Sequence, residues 1–292
     1  MIGRRLGLAA LVVVTVIGLP LVLGPGAPRP EVQAAARRWI FEAANAADAA
    51  LAALVRDLEP AVDAGRAGSA RAVAGDEPPG PKLSEAAERT RAAESAAGDV
   101  RRALVMLDRA RQAADPGAPV IGPVVEAGEL ESIVAQLEAS ADAADEFAAM
   151  RARAGSVVAG LGAALTALDG RDIQAARRQL DEARELHTVI ADWDVGLVTL
   201  PVWLDTTDAM IGAVERIITA TEHGDADDAE RAADEFAALS TDAATADRAL
   251  QIAISEGGGA VAAVPLERLA GVLAAATDTR AAIASIRDSA AP

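Results

Sequence analysis

The sequence contains no Cys and no Tyr, and aromatic residues make up only 2% of its 292 residues. Without Cys, the chain cannot form disulfides, thiolate metal sites or a cysteine nucleophile. With so few aromatic side chains, any hydrophobic core must be built from aliphatic residues. β-Branched runs bounded by turn residues are also scarce after the N-terminal segment, which disfavours a β-sheet protein.

Positive charge is the other shortage. The net charge is -17, and Lys82 is the only lysine, so Arg supplies nearly all of the positive charge. An acidic surface repels nucleic-acid phosphates and anionic lipid headgroups. We therefore expect no nucleic-acid partner.

Alanine dominates what is present. Roughly a quarter of the residues are Ala, the strongest helix former. Apolar residues recur at three- and four-residue steps through most of the chain, a spacing typical of amphipathic helices. The sequence predicts an all-α fold, with an N-terminal transmembrane helix followed by an Ala-rich helical-hairpin bundle or a short irregular helical array.

The transmembrane prediction rests on residues 6–24, an uncharged apolar run preceded by Arg4 and Arg5. As a helix this run is about 28 Å long, enough to span a bilayer. The two arginines favour a cytoplasmic N-terminus, residues 1–5, with the bulk of the chain outside the cell membrane as a single-pass protein. A cleaved signal peptide is the alternative, although the nearest small-residue cleavage site is followed by Pro28.

Composition divides the rest of the chain into three parts. Residues 25–63 read as a membrane-proximal helix whose apolar spacing ends at Pro60. Residues 64–82 collect Gly, Pro and small residues without periodicity, which predicts a flexible linker. Residues 83–292 read as an extracytoplasmic helical-hairpin domain.

This domain shows three degenerate repeats. Each copy has a turn with Gly and Asp together and, further on, a Gly five or six residues before a Pro. The turns are Gly98-Asp99, Gly170 with Asp172, and Gly224-Asp225; the later pairs are Gly117/Pro123, Gly196/Pro201 and Gly259/Pro265. We expect each Gly to end a helix, with Gly170 in the left-handed conformation, and each Asp to cap the next helix.

Two resemblances accompany this pattern. Gly98, Ala103, Leu107 and Ala110 resemble the second helix of a tetratricopeptide motif in type and spacing, which implies a helical hairpin. The anchor, the Ala-rich helices, the Gly-Asp turns and Leu200-Pro201 resemble the helical, membrane-proximal segment of an uncharacterised family of actinobacterial membrane-anchored envelope proteins. That resemblance covers about residues 165–224 and implies an envelope location.

No residue set points to catalysis, a cofactor or a metal. The sequence lacks a serine nucleophile elbow, and its Gly pairs lack the strand context of phosphate-binding loops. His187 falls on an apolar stripe and reads as a packed histidine. His223 lies near Asp225 and Asp227, but the spacing does not form a calcium loop, and these acids fit a helix N-terminus better.

The remaining candidate site is Trp193 and Trp203, which flank the Gly196–Pro201 loop as a possible partner surface. Of the two, Trp203 reads as the core residue and Trp193 as the exposed one. We expect a non-enzymatic scaffold or interaction module of a bacterial envelope, held by its N-terminal helix and binding another envelope protein. A helical sensor that binds a small ligand between its helices is the alternative, followed by a carboxylate-dependent hydrolase.

Overall fold

The computed structural model describes residues 30–75, 77–193 and 196–291. Six helices account for most of them: α1 (Pro30–Ala74), α2 (Gly80–Ala114), α3 (Glu129–Asp169), α4 (Ile173–Ala191), α5 (Leu200–His223) and α6 (Ala226–Ala290). These ranges contain no strand, so the prediction of an all-α protein is confirmed. The predicted cytoplasmic segment and anchor, residues 1–24, lie outside the described residues.

The six helices build two hydrophobic cores that share two long helices, α3 and α6. The proximal core is formed by α1, α2, the first half of α3 and the second half of α6. The distal core is formed by the second half of α3, α4, α5 and the first half of α6. Each core is therefore a four-helix packing in which α3 and α6 run antiparallel and continue from one core into the other.

The two halves of α3 bury opposite faces. Leu137 of the proximal core and Val157 of the distal core are both fully buried. They are separated by about 5.6 helical turns, so their side chains point to opposite sides of the helix. The hairpin α1–α2 and the hairpin α4–α5 consequently pack on different faces of the α3–α6 pair.

Both hairpins end near the middle of α3. Gly80, at the start of α2, donates its backbone N–H to Asp145 Oδ1 at 2.8 Å. Arg151 Nη1 donates to the carbonyl oxygen of Ala74, at the end of α1, at 3.1 Å and to Ser255 Oγ at 3.2 Å. A carboxylate thus meets the positive end of one helix and a guanidinium the negative end of the other, which fixes the α1–α2 turn on α3.

The predicted linker and the predicted helix end at Pro60 are corrected by the structure. Residues 64–74 continue α1 without a break, and the connection to α2 comprises residues 75–79. Helix α1 also passes through Pro60, where Leu58 and Ala61 are fully buried on either side. Their burial offsets the cost of a proline inside a helix, about 3 kcal/mol.

The three-repeat plan is also corrected, because one expected break in each of two copies lies inside a continuous helix. Gly98-Asp99 is inside α2, and Gly257–Gly259 with Pro265 is inside α6. At the glycine triplet α6 meets its neighbours closely: a Cβ on Gly257 would lie 2.7 Å from Phe147 Cε1, and one on Gly259 would lie 3.0 Å from Val73 Cγ2. The triplet therefore permits close packing and does not form a turn.

The central turn forms where it was predicted, but with a different backbone. Helix α3 ends at Asp169, and the Asp172 side chain accepts a hydrogen bond from the Ala175 backbone at 2.9 Å, which caps α4 as expected. Gly170 has φ -74°, in the right-handed region, and the left-handed residue is Arg171, with φ 61°. The expectation for Gly170 is therefore wrong.

The Gly224-Asp225 turn follows its prediction. Gly224 is left-handed with φ 70° and ends α5, and Asp225 caps α6 by accepting from the Asp228 backbone at 3.0 Å.

Helix α6 is the one helix in the described ranges that is long and apolar enough to cross a membrane by length and composition. Residues 249–266 carry a single charged side chain, Glu256. Leu250 in this stretch is buried in the distal core and Ala262 in the proximal core. Only 33% of the most apolar 18-residue stretch of α6 is buried, so part of the apolar surface of this helix is exposed.

Candidate functional site

Trp193 and Trp203 do not lie together on one surface. Trp193 is half-buried at the end of α4, where its Nε1–H donates to Glu146 Oε1 at 2.8 Å. Its ring meets Phe147 edge-on, with the ring centroids 5.3 Å apart. It therefore holds the start of the α4–α5 loop against α3 and is less exposed than expected.

Trp203 lies in the distal core with 1% of its surface exposed. Its Nε1–H donates to Asp247 Oδ1 at 3.3 Å, and its ring stacks on His187 with the centroids 5.9 Å apart. His187 Nε2 in turn lies 3.2 Å from the carbonyl oxygen of Leu204. Trp203 is thus a core residue, as predicted, and His187 is partly buried and packs against it.

His223 is exposed at the end of α5, with Nδ1 2.7 Å from the carbonyl oxygen of Thr219. Within the described ranges, no group of three or more His, Cys, Asp or Glu residues is placed to hold a metal ion.

The predicted loop carries one exposed valine, and two more exposed valines lie on the helices that flank it. Val198 is 90% exposed, the highest value among the large hydrophobic residues that the structure describes, and Val202 and Val189 are also exposed. All three lie at the end of the α4–α5 hairpin that faces the middle of the molecule. We call these three residues the valine patch.

A second feature is a groove on the distal half, enclosed by α3, α5 and α6. Its volume is about 470 Å³, within the range of small-molecule sites. Its lining is mainly apolar, and it includes Val158, Leu161, Trp203 and Met210. We call it the distal groove.

The distal groove adjoins a smaller pocket of about 330 Å³ that begins at the end of α1. Arg248 and Gln251 line both cavities, so they mark the boundary between them. Val73, Ile252 and Arg151 line the smaller pocket. The two cavities lie next to each other along α6, and the smaller one reaches the end of α1.

The groups with shifted pKa values lie outside both cavities, in surface ion pairs. Two hydrogen bonds lower the pKa of Glu85, the larger effect coming from Lys82 and the smaller from Arg89. A hydrogen bond to Glu138 raises the pKa of Arg91 and links α2 to α3.

Helices α4 and α5 are linked in the same way by Arg177 and Glu222, whose hydrogen bonds raise the pKa of the guanidinium and lower that of the carboxyl. These shifts therefore describe links between helices at the protein surface.

Sequence reasoning missed the distal groove because three separate helices form it. A local signal exists, however. Residues 154–168 of α3 carry no charge at all, in a chain that is 24% charged, and many of them are exposed. An uncharged but exposed helix segment indicates a surface that something else covers or occupies.

Comparison of the chain with protein-family models, with curated proteins and with solved structures gave no match.

Proposed function

We propose that the chain is a membrane-anchored, extracytoplasmic helical interaction module of a bacterial cell envelope. Residues 6–24 serve as its anchor, and the two-core helical part binds another envelope protein. The length and apolar character of residues 6–24, with Arg4 and Arg5 before them, support the anchor and its orientation. The resemblance to actinobacterial envelope proteins supports the location.

The valine patch is the observation that carries the binding role. Exposed apolar side chains that cluster at one place are typical of a partner surface, because single exposed apolar residues are spread widely on ordinary proteins. Trp193 bonds to Glu146 and contacts Phe147, so the end of α4 that carries Val189 is held against α3. Held segments lose less conformational entropy on binding.

Site-specific photocrosslinking tests this role. A photoreactive amino acid at position 198 should give a defined crosslinked product in intact envelopes. The matched control is position 120, where Val120 is also strongly exposed but lies in the loop between α2 and α3. Identical products from both positions, or none from position 198, would count against the valine patch.

A pair of variants provides the second arm. Val198→Asp with Val202→Asp should abolish capture of the crosslinked partner and leave the melting temperature unchanged, because both side chains are exposed. Val105→Asp, a substitution at an exposed valine of α2, should leave capture intact.

The anchor is tested separately by N-terminal analysis of the mature protein from the membrane fraction. We expect residues 6–24 to be retained. A mature N-terminus near Ala35 would replace the anchor with a cleaved signal peptide.

A small-ligand-binding bundle is the second candidate function, and the distal groove favours it. Sites between the helices of a bundle are a common place for ligands, and this one has a tryptophan and a methionine in its lining.

A further inference from the structure

The distal groove has an apolar interior and a cationic boundary. Trp203 and Met210 of α5 supply apolar lining, and so do Val158 and Leu161 of α3. Trp203 is 1% exposed and is bonded to Asp247, so the Asp247 carboxylate is engaged by the indole N–H. Asp247 lines the groove as well, and an apolar chain can lie against Trp203 while the carboxylate keeps this hydrogen bond.

Two arginines stand where the distal groove meets the smaller pocket. Arg248 lines both cavities, and Arg151 lines the smaller one while it bonds to neutral oxygens of Ala74 and Ser255. Glu256 also lines the smaller pocket, but in the described part of the chain neither guanidinium forms an ion pair with a carboxylate. Acidic residues outnumber basic ones by 44 to 27, so two such arginines beside an apolar groove favour an anionic ligand group.

We infer that the distal groove binds a single-chain amphiphilic anion, such as a free fatty acid. The acyl chain lies between α3 and α6 against Trp203, and the acid group lies at Arg248. A groove of about 470 Å³ has room for one acyl chain and not for the two chains of a membrane phospholipid. This inference develops the ligand-binding candidate and is independent of the valine patch.

Quenching of Trp203 fluorescence by a brominated fatty acid tests the inference directly, since bromine quenches only by contact. Trp39→Phe and Trp193→Phe leave Trp203 as the only one of the 3 tryptophans. The full chain is held in lipid nanodiscs so that no detergent competes for the groove. We expect saturable quenching by dibromostearic acid below its aggregation concentration. Nanodiscs whose phospholipid carries the bromine should leave Trp203 unquenched.

Two substitutions distinguish the groove from nonspecific partitioning. Val158→Trp should fill the groove and raise the dissociation constant for the brominated acid about tenfold or more. Because this variant adds a tryptophan, its binding is measured by calorimetry. Val105→Trp is its matched control, since Val105 and Val158 are both 45% exposed but Val105 lies on α2, and binding should be unchanged.

The anionic group is tested at Arg248. Arg248→Ala should raise the dissociation constant for the acid about fivefold and leave that of the matching brominated alcohol unchanged. Arg109→Ala, on the exposed side of α2, should change neither constant.

Three outcomes would overturn the inference: absence of quenching, equal binding by the Val158→Trp and Val105→Trp variants, or quenching by the brominated phospholipid alone. None of them would affect crosslinking from position 198, so the groove and the valine patch can fail separately.

Discussion

Arg171 is the one non-glycine residue in the described ranges with a left-handed backbone. It follows Gly170 in the turn between α3 and α4, and its N–H bonds to the carbonyl oxygen of Leu168 at 2.8 Å. A left-handed backbone costs an ordinary residue about 1–2 kcal/mol, because its Cβ approaches the following carbonyl oxygen. The sequence places the glycine one position away from where the backbone would favour it.

We therefore expect Arg171→Gly to raise the free energy of unfolding by about 0.5–1 kcal/mol, since relief of this strain exceeds the added chain entropy. Gly170→Ala should be nearly neutral, as its φ of -74° suits alanine. Denaturant unfolding of the two variants measures the difference. Stabilisation by Gly170→Ala with none from Arg171→Gly would contradict the assigned turn.

The ion pair of Arg177 and Glu222 gives a prediction about pH. Because the hydrogen bond from Arg177 lowers the pKa of Glu222, its stabilising contribution is present above the ordinary glutamate pKa and is lost as pH falls through the lowered value. We expect Glu222→Gln to melt below the wild type at pH 7, and the difference to shrink as the pH falls below the ordinary glutamate pKa. Glu185→Gln, on the exposed side of α4, is the matched control for the substitution itself. A difference in melting temperature that stays constant as the pH falls would show that the Arg177–Glu222 ion pair does not cause it.

At the scale of the helix, the glycines of α6 have two different roles. Gly257 packs so closely on Phe147 that an added Cβ would lie 2.7 Å from its ring, whereas Gly271 has no neighbour within 4 Å of that position. Alanine is preferred to glycine inside a helix by about 1 kcal/mol when there is room for the methyl group.

Gly271→Ala should therefore stabilise the protein by about 0.5–1 kcal/mol, while Gly257→Ala should destabilise it by about 1–3 kcal/mol through overpacking. Thermal unfolding of the two single variants decides the matter, each serving as the control for the other. Equal stabilisation by both would mean that α3 and α6 do not approach closely at the triplet.

These elements also show how far the sequence could predict the fold. The all-α class and the caps at Asp172 and Asp225 follow from composition and local hydrogen bonding, and the structure confirms them. The breaks expected at Pro60 and Pro265 are absent, because burial of neighbouring residues in the proximal core outweighs a local preference. That burial depends on partner helices far away in the sequence.

The candidate site was predictable only in part, for the same reason. The two tryptophans pointed to the loop between α4 and α5. Trp203, however, is a core residue, and the exposed apolar residues at this end of the hairpin are valines. The distal groove brings Val158, Trp203 and Arg248 together from three helices. No local pattern could group these residues, although the charge-free run in α3 was a visible sign.

At the scale of the molecule, the continuity of α3 and α6 couples the two cores. Each core contains half of both helices, so opening of one core exposes the ends of helices that the other requires. We expect a single cooperative unfolding transition.

Leu54→Ala tests this coupling. Leu54 is fully buried in the proximal core, so its truncation should cost about 2–5 kcal/mol. In the variant that keeps Trp203 as its only tryptophan, Trp203 emission from the distal core should shift to the same lower midpoint as the circular dichroism. A Trp203 transition that stays at its original temperature would show that the cores unfold independently.

The beginning of α1 and the end of α6 lie side by side, since Asp48 bonds to Arg280 at 2.8 Å and to Arg287 at 3.5 Å. A force that pulls the two ends of the described chain apart would therefore act across the contact between α1 and α6. That contact would open first at the end of the molecule where the force is applied. The proximal hairpin would peel away first, and the distal half would bear no tension until that opening reached the glycine triplet. Under load, the valine patch and the distal groove would be the last parts of the molecule to deform.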